Sequence, residues 1–207
     1  MSFNTYGQKT ATSKPRLQVW VEVDGRKTGG GALDMVGLKA GDVIPAGTPV
    51  ALSKSGGLLT PIHFYELAVD LKSTDTEAIL IGNTPLPETG NVIAVPAAIG
   101  GTGTGVAYSA ISDNGDGTYT VTIEANALGT AKAGTIYAEA DKAGTGAKVK
   151  NAAIPAGLLW HDIVIEEGDT LATGAVVDDG RIYEDRIVGV PAAYKALMPN
   201  VKFEKGV

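Results

Sequence analysis

Cysteine is absent from the 207-residue chain, which excludes disulfides, thiolate chemistry and any Cys-ligated zinc site and leaves the redox compartment open. Histidine is nearly absent. His63 and His161 are the two in the sequence, so a His-based dyad or metal cluster has to use one of them. Long apolar runs are missing too: nowhere do about 18 consecutive apolar residues occur, and the first residues contain no apolar h-region. Neither a membrane-spanning helix nor a signal peptide is expected, and the protein is expected to be made in the cytoplasm. Positive charge is scarce and scattered, with 17 Lys and Arg against 23 Asp and Glu and a net charge of −6. A phosphate-tracking surface needs clustered cations, so nucleic acid is not an expected partner.

Glycine is abundant instead. The 28 glycines are about twice average usage, aromatics are 6% of the residues, and Val, Ile, Thr and Ala dominate the apolar set. That composition predicts short strands and many turns. Residues 1–15 are polar, lack hydrophobic period and end in Pro15, and read as a flexible arm. Leu17, Val19, Val21 and Val23 then alternate with Gln18, Trp20 and Glu22, which predicts a strand with the aliphatics on one face. Asp24-Gly25 reads as a tight turn, and Gly29-Gly30-Gly31 as loop. Residues 37–62 mix brief apolar pairs with Gly and Pro, a chain that changes direction every few residues. Further strands are predicted over 78–81, 91–95, 106–111, 119–123, 135–140 and 158–165, with a Pro-bearing loop over 83–90. The run DNGDG over 113–117 supplies the positive φ angles of a hairpin loop between 106–111 and 119–123. One short helix is predicted over 190–198, with Pro191 in its first turn and Pro199 stopping it. Gly41-Asp42-x-Ile44-x-x-Gly47-x-x-Val50 recurs as Gly168-Asp169-x-Leu171-x-x-Gly174-x-x-Val177, either a chance recurrence of Gly-Asp turns or a repeated strand-loop unit.

The candidate chemistry is thin. His161-Asp162 falls within the predicted strand 158–165, and His63 in the cluster His63-Phe64-Tyr65; both read as packed side chains rather than bases. Asn114, Asp116 and Gly117 match part of a calcium loop, but Ser112 and Ile123 occupy the positions where carboxylates are needed. Glu166, Glu167, Asp169, Asp178, Asp179, Glu184 and Asp185 form an acidic group that gathers a cation only if loops converge, and reads as a solvated rim. The run over 100–105 is glycine-rich but opens a strand and lacks a Lys-Ser/Thr pair, so it is not a phosphate cradle. No Gly-x-Ser-x-Gly elbow occurs. Catalytic residues, metal ligands and cofactors are therefore all expected to be none, and the protein is not expected to be an enzyme.

GLKAGDVIPAGTPVAL, followed by GGLLTPI, EAILIGNTPLP and IVGVPAAYKALMP, resembles the head decoration and head-fibre proteins of tailed phages. The likeness covers residues 17–96 and 158–207, and the Gly-Asp-x-Ile-x-x-Gly unit is similar to the β-clip of lambda-type decoration proteins. DNGDGTYTVTIEA looks instead like a hairpin of an immunoglobulin-like sandwich. The resemblance implies an all-β fold: a β-clip or small barrel-like core, an inserted β-hairpin or Ig-like module and a short C-terminal helix. It divides the chain into a flexible arm (1–16), a capsid-binding core (17–96 and 158–207) and a central projecting β module (97–157). The implied function is structural: a homotrimer on the capsid exterior of the virion that binds the major capsid protein without nucleic acid or membrane. Lys9, Lys14 and Arg16 of the arm are the expected capsid-binding residues, meeting acidic capsid surface. The alternative is an Ig-like adhesin or carbohydrate-binding module.

Overall fold

The structure is a computed structural model that describes residues 18–27, 30–52, 57–82, 84–86, 90–94, 99–150 and 155–206. Lys9, Lys14, Arg16 and the rest of the expected arm lie outside the described residues. The fold is all-β as expected, with 47% of the chain in strand, 4% in helix and the curl of a half-barrel.

Two sheets carry it. The first runs in the order Trp20–Arg26, Val176–Tyr183, Gly157–Leu159, Pro49–Leu52, Leu58–Pro61, Gly31–Leu33 and Thr173–Gly174, with Val201–Glu204 parallel to the end of Val176–Tyr183. The second runs Ala110–Asp113, Thr118–Thr122, Glu77–Gly82, Phe64–Leu67, Ile136–Glu139, Gly90–Ala94, Gly103–Tyr108 and Gly144–Ala147, with every neighbouring pair antiparallel. A two-stranded ribbon, Val43–Ile44 with Ile163–Val164, lies beside them. The chain thus builds part of the first sheet, leaves it after Ile62 for the whole second sheet, and returns before Gly157 to finish the first. The sheets divide the chain at these crossings, whereas the expected division fell at residues 96 and 157.

Three apolar clusters hold the layers. The largest joins the sheets: Trp20, Ile62, Leu158, Val177 and Ile182 of the first pack with Phe64, Ile93 and Ala138 of the second. Strand pleating sends neighbours to opposite faces, so Phe64 enters this cluster while Tyr65 enters one on the far side of the second sheet with Leu80, Val92 and Val121. The third, around Leu33, Ile44, Val50 and Leu159, closes the far end of the first sheet. The predicted helix is present over Ala192–Lys195, with Pro191 at its N-cap and Tyr194 buried edge-on against Phe64, ring centres 5.0 Å apart. One turn of helix is stable here because Tyr194 and Met198 belong to the inter-sheet core.

Four sequence expectations are corrected. Trp20, expected opposite the aliphatics, is the buried residue of its strand, whereas Val19 and Val23 are only partly buried. The pairing with Val176–Tyr183 slips between Trp20 and Glu22, and this bulge breaks the strict alternation. Asp24-Gly25 is not a turn but lies within Trp20–Arg26; a Cβ on Gly25 would meet the Asp179 Cβ at 2.9 Å, so glycine allows strand contact at a second slip. Gly31, read as loop, opens a strand and pairs with Gly174. Finally, 106–111 and 158–165 are each two elements: the first breaks at Ser109, and the second breaks at residues 160–162, where the chain bends between sheet and ribbon.

The two Gly-Asp units adopt the same turn. Lys39 N–H donates to Asp42 Oδ2 at 2.7 Å and Glu166 N–H to Asp169 Oδ2 at 2.8 Å, while Gly41 and Gly168 take φ of +96° and +89°. The second glycine of each unit admits a close neighbour: a Cβ on Gly47 would run into Ile187 Cγ2, and one on Gly174 into Ile163 Cδ1 at 2.9 Å. The units diverge in burial, with Ile44 wholly buried and Leu171 62% exposed, so the repeat is one of local turn chemistry.

The 113–117 hairpin forms as expected, with Ala110–Asp113 paired to Thr118–Thr122. Gly117 has φ +91° and open space around a Cβ, so Gly117→Val tests the backbone conformation alone. We expect it to cost about 1–3 kcal/mol in thermal or denaturant unfolding, since a β-branched residue is strained there.

Candidate functional site

The two crossings between the sheets are tied by one carboxylate. Glu139, at the end of Ile136–Glu139, is 4% exposed. His63, at the outgoing crossing, places Nδ1 2.9 Å from Glu139 Oε2, and Lys150, at the return crossing, donates from Nζ to Oε1 at 2.7 Å. Backbone bonds align them: Glu139 N–H donates to His63 O and Lys150 N–H to Glu139 O. Burial pushes the Glu139 carboxyl up, but the His63 and Lys150 contacts outweigh it and hold the group below its ordinary value. Burial, with the Glu139 charge adding to it, raises the neighbouring Tyr65 and Tyr108 hydroxyls. The carboxylate is shielded from substrate and already engaged, so the arrangement acts as a clasp.

An open cleft of about 980 Å³ is lined by residues of both sheets. Its walls come from the start of the first sheet (Gln18, Val19 and Trp20), the first Gly-Asp unit, Gly82, Thr84 and Pro85, the hairpin residues Asp113 and Tyr119, the bend at Trp160, and residues 185–188. Five carboxylates line it: Asp42, Glu66, Asp113, Asp162 and Asp185. Backbone amides fix them in place. Ala46 N–H donates to Asp162 at 2.7 Å, Gly115 N–H to Asp113 at 2.8 Å, Gly189 N–H to Glu66 at 3.1 Å and Gly206 N–H to Asp185 at 2.8 Å. Arg186 is the one Lys or Arg in the described lining; it donates to Gln18 O at 2.8 Å and its guanidinium sits 3.9 Å over the Tyr183 ring. Burial first, then the nearby charges of Asp113 and Asp42, push the Tyr119 hydroxyl up. Thr84 lines the same cleft, is 3% exposed, and its Oγ1 has no hydrogen-bond partner among the described residues.

Both histidines are now placed. His63 belongs to the clasp and is packed, as expected. His161 is exposed, in the bend, its ring 4.0 Å from that of Trp160, while the Arg26 guanidinium lies 4.0 Å over the Trp160 ring. The acidic group of 166–185 is dispersed: Asp169 caps its own turn, Asp178 lies 3.9 Å from Lys27, Glu184 binds Lys195 at 2.7 Å and Asp185 turns to the cleft. Among the described residues no group of three or more acidic or histidine side chains is placed to hold a metal ion. Sequence reasoning missed Glu139, Lys150 and the convergence of the cleft carboxylates, of which it had named Asp42, Asp162 and Asp185 in separate settings. Glu139 left one signal, a single charge inside the apolar run 136–140. No protein-family model, curated protein or solved structure matches the chain.

Proposed function

We propose that this protein is a non-catalytic structural subunit that binds the outside of a tailed-phage capsid as a decoration or head-fibre protein, with the major capsid protein as its partner. The observation that carries the reading is where the family-like segments fall. The likeness spans 17–96 and 158–207: its parts 17–61 and 158–207 supply nearly all of the first sheet, while 62–96 supplies Phe64–Leu67, Glu77–Gly82 and Gly90–Ala94 of the second. Residues 97–149, which carry no such likeness, contribute to the second sheet alone. Two stretches of that likeness far apart in the chain thus meet in one sheet, which supports a body that closes around an intervening segment. A sugar-stacking role is less well supported, because the Trp160 ring in the cleft is already stacked by Arg26 and His161.

Exposed aliphatics favour a multimer. Val36, Val164 and Leu171 are 89%, 55% and 62% exposed and all lie in or beside the Gly-Asp units and the ribbon. Burying such side chains between copies in closed symmetry is the common solution. Light scattering after size exclusion should therefore report about three times the 21.1 kDa chain mass. The full-length protein should co-sediment with empty heads assembled from the capsid protein of the same genome, and Lys9→Glu/Lys14→Glu/Arg16→Glu should weaken that binding. No co-sedimentation by the unaltered protein rejects the capsid reading, and a monomer independent of concentration rejects the trimer.

A further inference from the structure

We propose that Asn114 is a site of spontaneous deamidation that the closed hairpin holds in check, and that its product locks the hairpin open. Asn114 is followed by Gly115, which carries no Cβ to crowd the attack of its own backbone nitrogen on the Asn114 side-chain carbon. The other asparagines of the described residues, Asn91, Asn126 and Asn200, are followed by Val, Ala and Val. In the reaction Gly115 N gives its proton to hydroxide and bonds to Asn114 Cγ, Nδ2 leaves as ammonia, and a cyclic imide remains. Water then opens the imide at either carbonyl, so the net change is a water taken up and an ammonia released, with no oxidant or cofactor. Opening at one carbonyl yields aspartate. Opening at the other yields isoaspartate, in which the main chain runs through the former side chain and is longer by a carbon. Residues 112–117 are exposed, so hydroxide and water reach the site.

Two sets of contacts oppose the first step. Gly115 N–H donates to Asp113 Oδ1 at 2.8 Å, so the proton to be removed is held by a carboxyl group and the nitrogen anion would form beside it. The leaving nitrogen is held as well. Asn114 Nδ2 donates to Thr118 Oγ1 at 2.9 Å and to Thr120 Oγ1 at 3.1 Å, and Thr118 Oγ1 donates in turn to Asp116 Oδ1 at 2.7 Å. Ammonia leaves only after both bonds from Nδ2 are given up. Such release comes from local opening, and the site lies where opening is easy: among the described residues Ala110–Asp113 is an end strand of the second sheet, paired on one side with Thr118–Thr122. The reaction rate therefore follows the fraction of time the hairpin is open. The isoaspartyl product does not fit the closed form. Asn114 N–H donates to Thr118 O at 3.0 Å to close the loop, with Asp113 set against Tyr119, and an extra main-chain carbon between residues 114 and 115 breaks that register. An opening that lasts long enough to react is thus made permanent.

Full-length protein held at mildly alkaline pH is compared with the same chain in denaturing guanidinium, and conversion at each asparagine is quantified by peptide mass spectrometry, with isoaspartate distinguished by its fragmentation. In denaturant Asn114 should convert faster than Asn91, Asn126 and Asn200. In the folded protein its rate should fall at least about tenfold. Thr118→Val/Thr120→Val keeps the side-chain shape and should raise the folded-state rate at least about fivefold. Thr118→Ser/Thr120→Ser retains the hydroxyls and should stay within about twofold of the unaltered protein. Modified protein gains a negative charge and is collected by anion exchange; its isoaspartyl form should have lost hydrogen-exchange protection across Ala110–Asp113 but kept it in Phe64–Leu67. Equal rates in the folded and denatured chain overturn the proposal, as does a folded-state rate indifferent to the Val substitutions. So does a denatured chain in which Asn114 converts no faster than the other asparagines, or an isoaspartyl product with Ala110–Asp113 still protected. These measurements read the isolated protein, so their outcome is independent of capsid binding.

Discussion

A His63→Ala/Lys150→Ala variant should unfold about 3–5 kcal/mol more easily than the unaltered protein at pH 7, because it strands a buried carboxylate without the two side chains that face its oxygens. Glu139 is 4% exposed and its two oxygens face these two side chains. The sign of the pH dependence separates this clasp from ordinary packing. In the unaltered fold the carboxyl sits below its ordinary value, so its contribution is present above the unfolded pKa of about 4.3 and is lost as pH falls through the lower folded value. Without the partners only burial remains, which raises the pKa above that of the unfolded chain. The variant should therefore recover stability as pH is lowered from 7 towards 5, where the unaltered protein holds steady. Denaturant titrations at three pH values decide it, and parallel curves for the two proteins show that the clasp carries no charge-dependent energy. Glu139→Gln, which keeps the shape but not the charge, should cost about 1–3 kcal/mol and flatten the acid limb.

The second large effect is expected at Gly47. Its φ is +82°, and a Cβ there would collide with Ile187 Cγ2 and come within 3.1 Å of Ile182 Cδ1. Gly47→Val combines backbone strain with overpacking beside the inter-sheet core, each worth about 1–3 kcal/mol, against a total stability of about 5–15 kcal/mol. A loss of about 4 kcal/mol in denaturant unfolding is expected. Gly168→Ala, at the other unit, meets nothing within 4 Å and should cost only the φ term, about 1 kcal/mol. Equal losses at the two sites would show that packing at Gly47 adds nothing.

Local chemistry was readable from the sequence where it depends on neighbours along the chain. The 113–117 hairpin, the one-turn helix after Pro191 and the paired Gly-Asp turns all rest on residues within a few positions of each other. The burial of Trp20 was not readable, since it follows from a slip against Val176–Tyr183, a strand more than a hundred residues away. The same holds for strand order: Gly31–Leu33 runs parallel to Leu58–Pro61, and Val201–Glu204 parallel to the end of Val176–Tyr183, pairings that alternation cannot specify. The cleft was illegible for a related reason. Asp42, Glu66, Asp113, Asp162 and Asp185 come from five separate stretches and each reads, in isolation, as a turn or surface carboxylate.

The excursion from Ile62 to Gly157 also dictates an order of events during folding. The second sheet is assembled wholly from residues 64–147 and so can form before Gly157–Leu159 is available, although its pairing of Phe64–Leu67 with Ile136–Glu139 closes a long loop. The first sheet has no such freedom, because Pro49–Leu52 has to find Gly157–Leu159 across that whole interval. Once the second sheet exists, it brings its own two ends together, with His63 and Lys150 beside one carboxylate, and shortens the interval from about a hundred residues of chain to the width of a few strands. The second sheet is thus expected to be the template on which the first closes, with Trp20–Arg26 and one edge of Pro49–Leu52 waiting for their partners until the last quarter of the chain has been made.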